Sequence, residues 1–459
     1  MNQSGGFDRT KKILSAILEV IIYHIAIVLS FWIRYKGDIP VYNYSAYEGA
    51  RFYIFIAFIV LNVLFGLYIF YNKSRVDFLY LTIIIQLIMS IAIMVLTYIG
   101  RWFTFPRTVI LISFVTSIIL LSVWRLLMFS VYERIDGSKN VMVVGREEAV
   151  KKAIYNFKLA KNKRHQITHV VTSRYFENIK KHMGEVDIVY LSEPLEDKLK
   201  IYDFLIKNDK KLFLPTNFEN LVMVNPNIMN IEDESIIEVS NFRISPENDL
   251  LKRFIDVVVA TILVIITSPI MVLTALAVKA TSRGPVLYKQ IRITKNQKEF
   301  EILKFRTMSA TAEKESGPVL ATSNDVRITG IGKYLRSLRI DELPQLFNVI
   351  KGDMALVGPR PERPFFVDQF KELNSHYYLR HNVRAGITGY AQVYGKYASD
   401  FNSKLNFDLV YIKQYSMVMD IKIMLQTIKI LFDKVSSKGL EDELDISTMD
   451  IPRDIKIYR

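Results

Sequence analysis

Two adjacent carboxylates, Asp341 and Glu342, lie in the run Tyr334-Leu335-Arg336-Ser337-Leu338-Arg339-Ile340-Asp341-Glu342-Leu343-Pro344-Gln345-Leu346. Proline is best tolerated in the first turn of a helix, where its missing N–H costs nothing. Pro344 therefore places both carboxylates at the start of a helix running through about Ile350. A helix start favours anions and phosphate, and Arg336 and Arg339 are expected to keep both carboxylates ionised. An ionised aspartate beside cations can attack phosphorus, and a second carboxylate can hold magnesium. The plainer reading is that Asp341 only caps the helix. Spacing alone leaves both readings open.

Other short motifs surround this pair. Lys304-Phe305-Arg306-Thr307-Met308 brings two cations close together. Arg360 stands between Pro359 and Pro361, whose fixed φ would stiffen the backbone under a guanidinium that grips phosphate. A rigid surface turn would look the same. The chain has no cysteine and six histidines. None of the histidines has zinc-site spacing, so disulfides are excluded and a thiolate- or His-ligated metal is not expected.

These groups must be carried by a membrane protein. Half of the 459 residues are hydrophobic and the mean hydropathy is positive. The net charge of +14 reads as cytoplasmic flanks against anionic lipid and as phosphate-handling sites, not as a nucleic-acid surface. Apolar runs at about Ile13–Ile33, Phe52–Tyr71, Phe78–Ile99 and Thr108–Val131 each reach about 20 residues, enough to cross a ~30 Å hydrocarbon core. The first contains Glu19 and His24, either functional or reaching the interface. Basic residues on both flanks of the block, Arg9, Lys11 and Lys12 before it and Lys139, Arg146, Lys151 and Lys152 after it, place both ends in the cytoplasm. Arg34, Lys36 and Arg51 in the first loop oppose that orientation. The N-terminal run lacks a small-residue cleavage site and is read as a retained span.

Beyond Lys139 the pattern becomes alternating strand and helix. Strands are expected at Lys139–Gly145, His169–Thr172, Asp187–Leu191 and Leu212–Leu214, and helices at Arg146–Ala160 and near Glu196–Asn208. This is a small parallel α/β domain. Gly145 is followed by Arg146-Glu147-Glu148 and not by the glycines of a dinucleotide loop, so a structural domain without cofactor is the better reading. A fifth apolar run, Phe254–Val278, is interrupted by Ser268-Pro269. The stretch before the break is too short to cross. With Lys252 and Arg253 before the run and Lys279 and Arg283 after it, the run reads as a helix-break-helix hairpin entering one leaflet and returning. An ordinary kinked span is the alternative.

In order, Lys252-Arg253 with Asp256, Ser268-Pro269, Gly284-Pro285-Val286, Gln290 with Arg292, Lys304–Met308, Asp341–Leu346, Gly352-Asp353-Met354, Val357–Pro361 and Gly386–Gln392 resemble the bacterial sugar transferase family. These are polyprenyl-phosphate phosphoglycosyl transferases with a re-entrant membrane helix. The resemblance covers about 248–434, and the whole chain resembles the long form of the family. It implies an integral membrane fold in three parts: four transmembrane helices over 1–135, a degenerate Rossmann-like α/β domain over 139–243, and an α-rich catalytic domain over 248–459 with a re-entrant helix at 250–281.

The implied reaction transfers a sugar-1-phosphate from a UDP-sugar to polyprenyl phosphate at the cytoplasmic face of the inner membrane, the priming step of a surface polysaccharide. Asp341 would be the nucleophile and Glu342 the magnesium ligand. Lys304, Arg306, Arg336 and Arg360 would contact phosphate or nucleotide-sugar, and Ser268 and Pro269 would form the membrane break. Glucose- or galactose-1-phosphate is the commonest expectation. The expected partners are a UDP-sugar, polyprenyl phosphate and the lipid bilayer, with a homodimer open and no nucleic acid. Four positions depart from the family pattern. Thr294 and Gln297 replace glycines, Ala385 opens the motif usually begun by proline, and Tyr390 stands for Trp or Phe. Membrane-anchored nucleotide-sugar dehydratases share the front half, but they need a Tyr-x-x-x-Lys pair that this chain lacks. The remaining alternative is a non-catalytic scaffold for polysaccharide assembly.

Overall fold

A computed structural model describes residues 3–68, 75–136, 138–159, 165–193, 195, 197–308, 327–395, 400–431, 450–452 and 454–459. The chain divides into two compact units, Met1–Phe213 with Ile446–Arg459, and Leu214–Asp445.

The first unit opens with α1 (Gln3–Tyr35), α2 (Val41–Leu64), α3 (Arg75–Ile99) and α4 (Arg107–Asp136). All four are long and apolar enough to cross a membrane. The second span is displaced from the apolar run that predicts it. It begins behind Pro40 and takes in Glu48 and Arg51, so the first-loop charge at Arg51 belongs to a helix. Buried Asn43 secures this early start, donating from Nδ2 to the Thr104 carbonyl and accepting from the Tyr35 hydroxyl. The helix stops at Phe65-Gly66, with Gly66 at φ +62°, a left-handed conformation that ends helices and suits glycine.

The four helices share one buried polar knot. Arg125 of α4 makes two contacts with Glu19 of α1, at 3.2 and 2.7 Å. Its remaining donors reach Thr82 Oγ1 of α3 at 2.7 Å and Asn62 Oδ1 of α2 at 2.6 Å. Charge this deep is tolerated because each charged group is paired and hydrogen-bonded. Glu19 therefore does not reach the interface.

The α/β part comprises β1 (Lys139–Val144), α5 (Glu147–Leu159), β2 (His165–Val171), α6 (Tyr175–His182), β3 (Ile188–Leu191), α7 (Lys198–Lys207) and β4 (Lys211–Phe213). These bounds fall within a few residues of the sequence expectation. Val141 and Val143 pack on one face of the sheet, Met142 and Val144 on the other, as the period of two requires when helices cover both faces.

The domain boundaries differ from the sequence reading at both ends. Lys456–Tyr458, assigned by sequence to the catalytic domain, forms a parallel edge strand against β2, so the sheet has five strands. A three-residue strand is too short to give a periodic signal. Residues 214–243, assigned by sequence to the α/β domain, belong to the second unit. There Phe218 stacks on Phe242 at 5.5 Å and both pack into that unit's core.

The second unit contains α8 (Phe218–Val222), the hairpin β5 (Asn227–Ile231) and β6 (Glu234–Glu238), and the 36-residue α9 (Pro246–Thr281). The hairpin β7 (Leu287–Ile293) and β8 (Glu299–Phe305) follows, then α10 (Gly330–Ser337), a 3-10 turn at Ile340–Glu342, α11 (Gln345–Lys351) and β9 (Met354–Val357). The remainder is α12 (Pro364–Leu373), β10 (Ala385–Thr388), α13 (Tyr390–Tyr394), α14 (Phe401–Lys413) and α15 (Met417–Leu431). The unit is rich in helix with small two-stranded sheets.

The expected interruption at Ser268-Pro269 is absent: α9 is one continuous helix with Pro269 inside it. Proline deprives the Ile265 carbonyl of its helical N–H partner, and the Ser268 hydroxyl donates to that carbonyl instead, at 2.8 Å. The N-terminal half of α9 is tied to the globular part. Arg253 donates to the Val349 and Ile350 carbonyls, Lys252 meets Asp420 at 2.6 Å, and Asp256 accepts from Leu356 N. The first of these caps the C-terminal end of α11 with a cation, where the helix dipole favours one.

Candidate active site

Arg339 adopts a left-handed conformation, φ 54°, and turns the chain from α10 into the 3-10 turn that carries Asp341 and Glu342. The α-helix proper starts after Pro344, so both carboxylates precede it by one tight turn. No side-chain capping bond forms at either helical start. The reading of Asp341 as a cap therefore has no support in the geometry.

Lys304 and Arg360 converge on Glu342. The Lys304 Nζ donates to Glu342 Oε1 at 2.8 Å, and Arg360 Nη2 lies 3.6 Å from the same oxygen. Burial alone would push the Glu342 carboxyl up, but Lys304 and Arg360 outweigh it and hold it at about 2. Asp341 behaves oppositely. It is 8% exposed, and burial and then the Glu342 charge push it up to about 6, with Lys304 and Arg336 only partly offsetting them. Burial first, and then the adjacent Glu342 charge, make Asp341 the harder of the two to ionise, although at about 6 it is still largely ionised at neutral pH. Carboxylates perturbed in this way cluster at functional sites.

Arg336 is tethered through Nε to Thr307 Oγ1 at 2.8 Å. Arg306 lies two residues from Lys304 but is not gathered onto Glu342. Its Nη2 donates to the carbonyl and hydroxyl of Ser282. Ser268 and Pro269 lie within α9, part of the candidate membrane helix.

Arg360 itself is held through its backbone, by residues that spacing does not single out. Arg380 Nη2 donates to the Arg360 carbonyl at 2.9 Å. Arg380 is in turn fixed by Asp408 at 2.9 and 2.8 Å and by the Tyr377 hydroxyl at 2.7 Å. Arg292 donates to the Pro361 carbonyl, and Ile293 N to the Glu362 carbonyl. The readable signal was Asp408, a carboxylate beside Leu405, Leu409 and Ile412 on the buried side of α14.

Three of the four departures from the family pattern also resolve. The Thr294 hydroxyl donates to the Asp353 carbonyl at 2.7 Å and accepts from Ala385 N at 3.1 Å. A glycine at 294 could do neither, and a proline at 385 has no N–H to offer. Gln297 holds φ 59°, the left-handed conformation for which glycine is the usual choice.

In the α/β sheet, the crevice between the ends of β1 and β3 is where a doubly wound fold would seat nucleotide phosphates. Here Gly145 packs against Ser192, and Arg146 N, at the start of α5, donates to Glu193 Oε1 at 2.5 Å. An internal carboxylate stands where a phosphate would need to be.

A model of the family described as bacterial sugar transferase matches residues 247–434. The chain is 45% identical over 188 residues to a UDP-N-acetylgalactosamine-undecaprenyl-phosphate N-acetylgalactosaminephosphotransferase of Aeromonas hydrophila, covering 40% of this chain and 44% of that one. It is 39% identical over 198 residues to a UDP-glucose:undecaprenyl-phosphate glucose-1-phosphate transferase of Escherichia coli (strain K12), covering 42% of each chain. A protein of the same description from Caulobacter vibrioides is 41% identical over 187 residues, which cover 39% of this chain and 69% of that one. The chain thus spans less than half the length of the first two of these relatives.

Proposed function

Because the chain belongs to the bacterial sugar transferase family, we propose that it transfers a sugar-1-phosphate from a UDP-sugar to polyprenyl phosphate and releases UMP. The observation that carries the reading is the convergence of Lys304 and Arg360 on Glu342 beside the buried Asp341. A carboxylate that is dry, adjacent to cations and near its own pKa is a usable nucleophile toward phosphorus.

In the first step an Asp341 oxygen bonds to the phosphorus next to the sugar. The bond from that phosphorus to the bridging oxygen breaks, and UMP departs with the electron pair. In the second step a phosphate oxygen of the polyprenyl phosphate attacks the same phosphorus and the bond to Asp341 breaks, restoring the carboxylate and leaving a lipid-linked diphosphosugar. Lys304, Arg336 and Arg360 supply fixed positive charge to the transferring group. The Arg380–Asp408 pair holds the Arg360 backbone in place.

The adjacent carboxylates could hold a magnesium ion, since burial and then the Glu342 charge leave Asp341 raised and a cation there would offset both. Magnesium ordinarily takes one or two carboxylates together with substrate phosphates. Glu342 would hold it, and the ion would neutralise charge on the phosphates.

We place the catalytic unit at the cytoplasmic face of the inner membrane, with α9 embedded from that face without crossing; a bend at Ser268-Pro269 is part of this proposal and is not displayed by the continuous helix. Lys456–Tyr458 and β2 share one sheet, so the chain between them must return to the face it left. Among the described residues of that stretch α9 alone qualifies as a span, and an even number of crossings is met if it does not cross. Basic residues at both ends of α9 agree. The relatives' names point to hexose or N-acetylhexosamine donors, and priming of a surface polysaccharide is the corresponding role. The test is purified full-length protein in detergent against a panel of UDP-sugars, with UMP release and lipid-linked product measured. Absence of UMP release from every donor would return the reading to a non-catalytic scaffold.

A further inference from the structure

Arg306 is 5% exposed. A guanidinium carries five N–H donors, yet among the described residues only Nη2 of Arg306 is engaged, by the Ser282 carbonyl at 2.8 Å and hydroxyl at 2.7 Å. Its Nε and Nη1 have no hydrogen-bond partner among the described residues. Leaving charged donors buried and unmet is costly, which suits a group awaiting an acceptor from outside. The backbone beneath it is fixed. Arg306 N donates to the Val286 carbonyl, Thr329 N donates to the Thr307 carbonyl, and Thr307 Oγ1 takes the Arg336 guanidinium.

Position selects the kind of acceptor. Ser282 is the C-cap of α9, whose last turns leave Val272, Leu273 and Leu276 between 58% and 67% exposed. Arg306 thus reaches the point where an apolar membrane helix gives way to polar chain, between Lys279 and Arg283 in sequence. A phosphate joined to a long apolar chain is confined to that level, because its chain partitions into hydrocarbon and its charge does not. A nucleotide-sugar arrives from water and is under no such constraint. Lys304 and Arg360 are already grouped on Glu342.

We infer that Arg306 binds the phosphate of the lipid acceptor, whereas Lys304 and Arg360 serve the nucleotide-sugar. This rests on the transferase reading. The shared ligand chemistry is a phosphate ester, and the two half-reactions separate its sources. UMP release in a single turnover with UDP-sugar alone reads loading of the enzyme. Titration of undecaprenyl phosphate in micelles then reads transfer.

In the full-length protein, Arg306→Gln should raise the KM for undecaprenyl phosphate about tenfold or more, the effect of losing a charge-assisted hydrogen bond. Arg306→Lys, which keeps the charge but not the guanidinium fork, should raise it less. Loading should change less than about threefold in both, well below the loss of such a bond, and its persistence reports that the variants are folded. Slowed loading with an unchanged acceptor KM would assign Arg306 to the nucleotide-sugar and overturn the inference. So would two variants indistinguishable from wild type in both half-reactions. If wild type itself fails to load with any UDP-sugar, the transferase reading falls first.

Discussion

The Thr294 hydroxyl and the Ala385 backbone N–H form a 3.1 Å hydrogen bond inside the catalytic unit. Both residues depart from the family pattern, and each makes sense of the other: the threonine supplies an acceptor, the alanine a donor that proline would lack. Thr294→Gly should therefore cost about 1–3 kcal/mol, the range for stranding a buried donor. Thr294→Gly with Ala385→Pro should recover part of that loss. Chemical denaturation of the two single variants and the double variant would show the coupling, and strict additivity would mean that the two departures are unrelated.

Asp341→Asn keeps the size and shape of the side chain but cannot attack phosphorus. UMP release should fall on the order of 10³-fold or more, as when a nucleophile is removed, with little change in unfolding temperature. Incubated with UDP-sugar and no lipid, wild type should carry a phosphosugar on the peptide containing Asp341, seen by mass spectrometry. The Asn variant should carry none, and an adduct mapping to another residue would displace Asp341 from its role.

The pH dependence follows from the split pair. Asp341 must be ionised to attack, and burial with the Glu342 charge raises its carboxyl to about 6. The kcat/KM for UDP-sugar should therefore fall as pH drops through about 6 and level off above it. Glu342, held near 2, remains ionised throughout this window. Glu342→Gln removes the neighbouring negative charge and should move the acid limb of the residual activity to lower pH. A shift upward, or none, would contradict the electrostatic account.

In the membrane block, Arg125→Leu leaves Glu19 buried without its partner, and breaking a buried pair costs about 3–5 kcal/mol. The combined change Glu19→Leu and Arg125→Leu removes both charges and should be milder than either alone. Thermal unfolding in detergent of the three proteins tests this ordering.

What the sequence made legible was local. Hydropathy located the spans, since each run is long enough to declare itself, although Glu48 and Arg51 hid the first half of α2. Alternation of strand and helix placed β1, β3 and β4 to within a residue, and β2 four residues late at its start. The Asp341-Glu342 pair was visible because proline and arginines frame it within a few positions. Long-range relations were not visible. Nothing near Lys304 announces that it meets Glu342 while Arg306, two residues on, meets Ser282. The upward push on Asp341 was not legible because the neighbouring arginines can be counted in sequence and burial cannot.

The edge strand Lys456–Tyr458 carries a consequence for biogenesis. Its bond from Thr172 N–H to the Tyr458 carbonyl spans 286 residues of sequence. While the chain is being made, β2 presents a bare edge until the catalytic unit has been synthesised, and bare edges invite mispairing between nascent chains. Closure of the sheet must therefore wait until the catalytic unit, which lies between the two strands in sequence, has been synthesised.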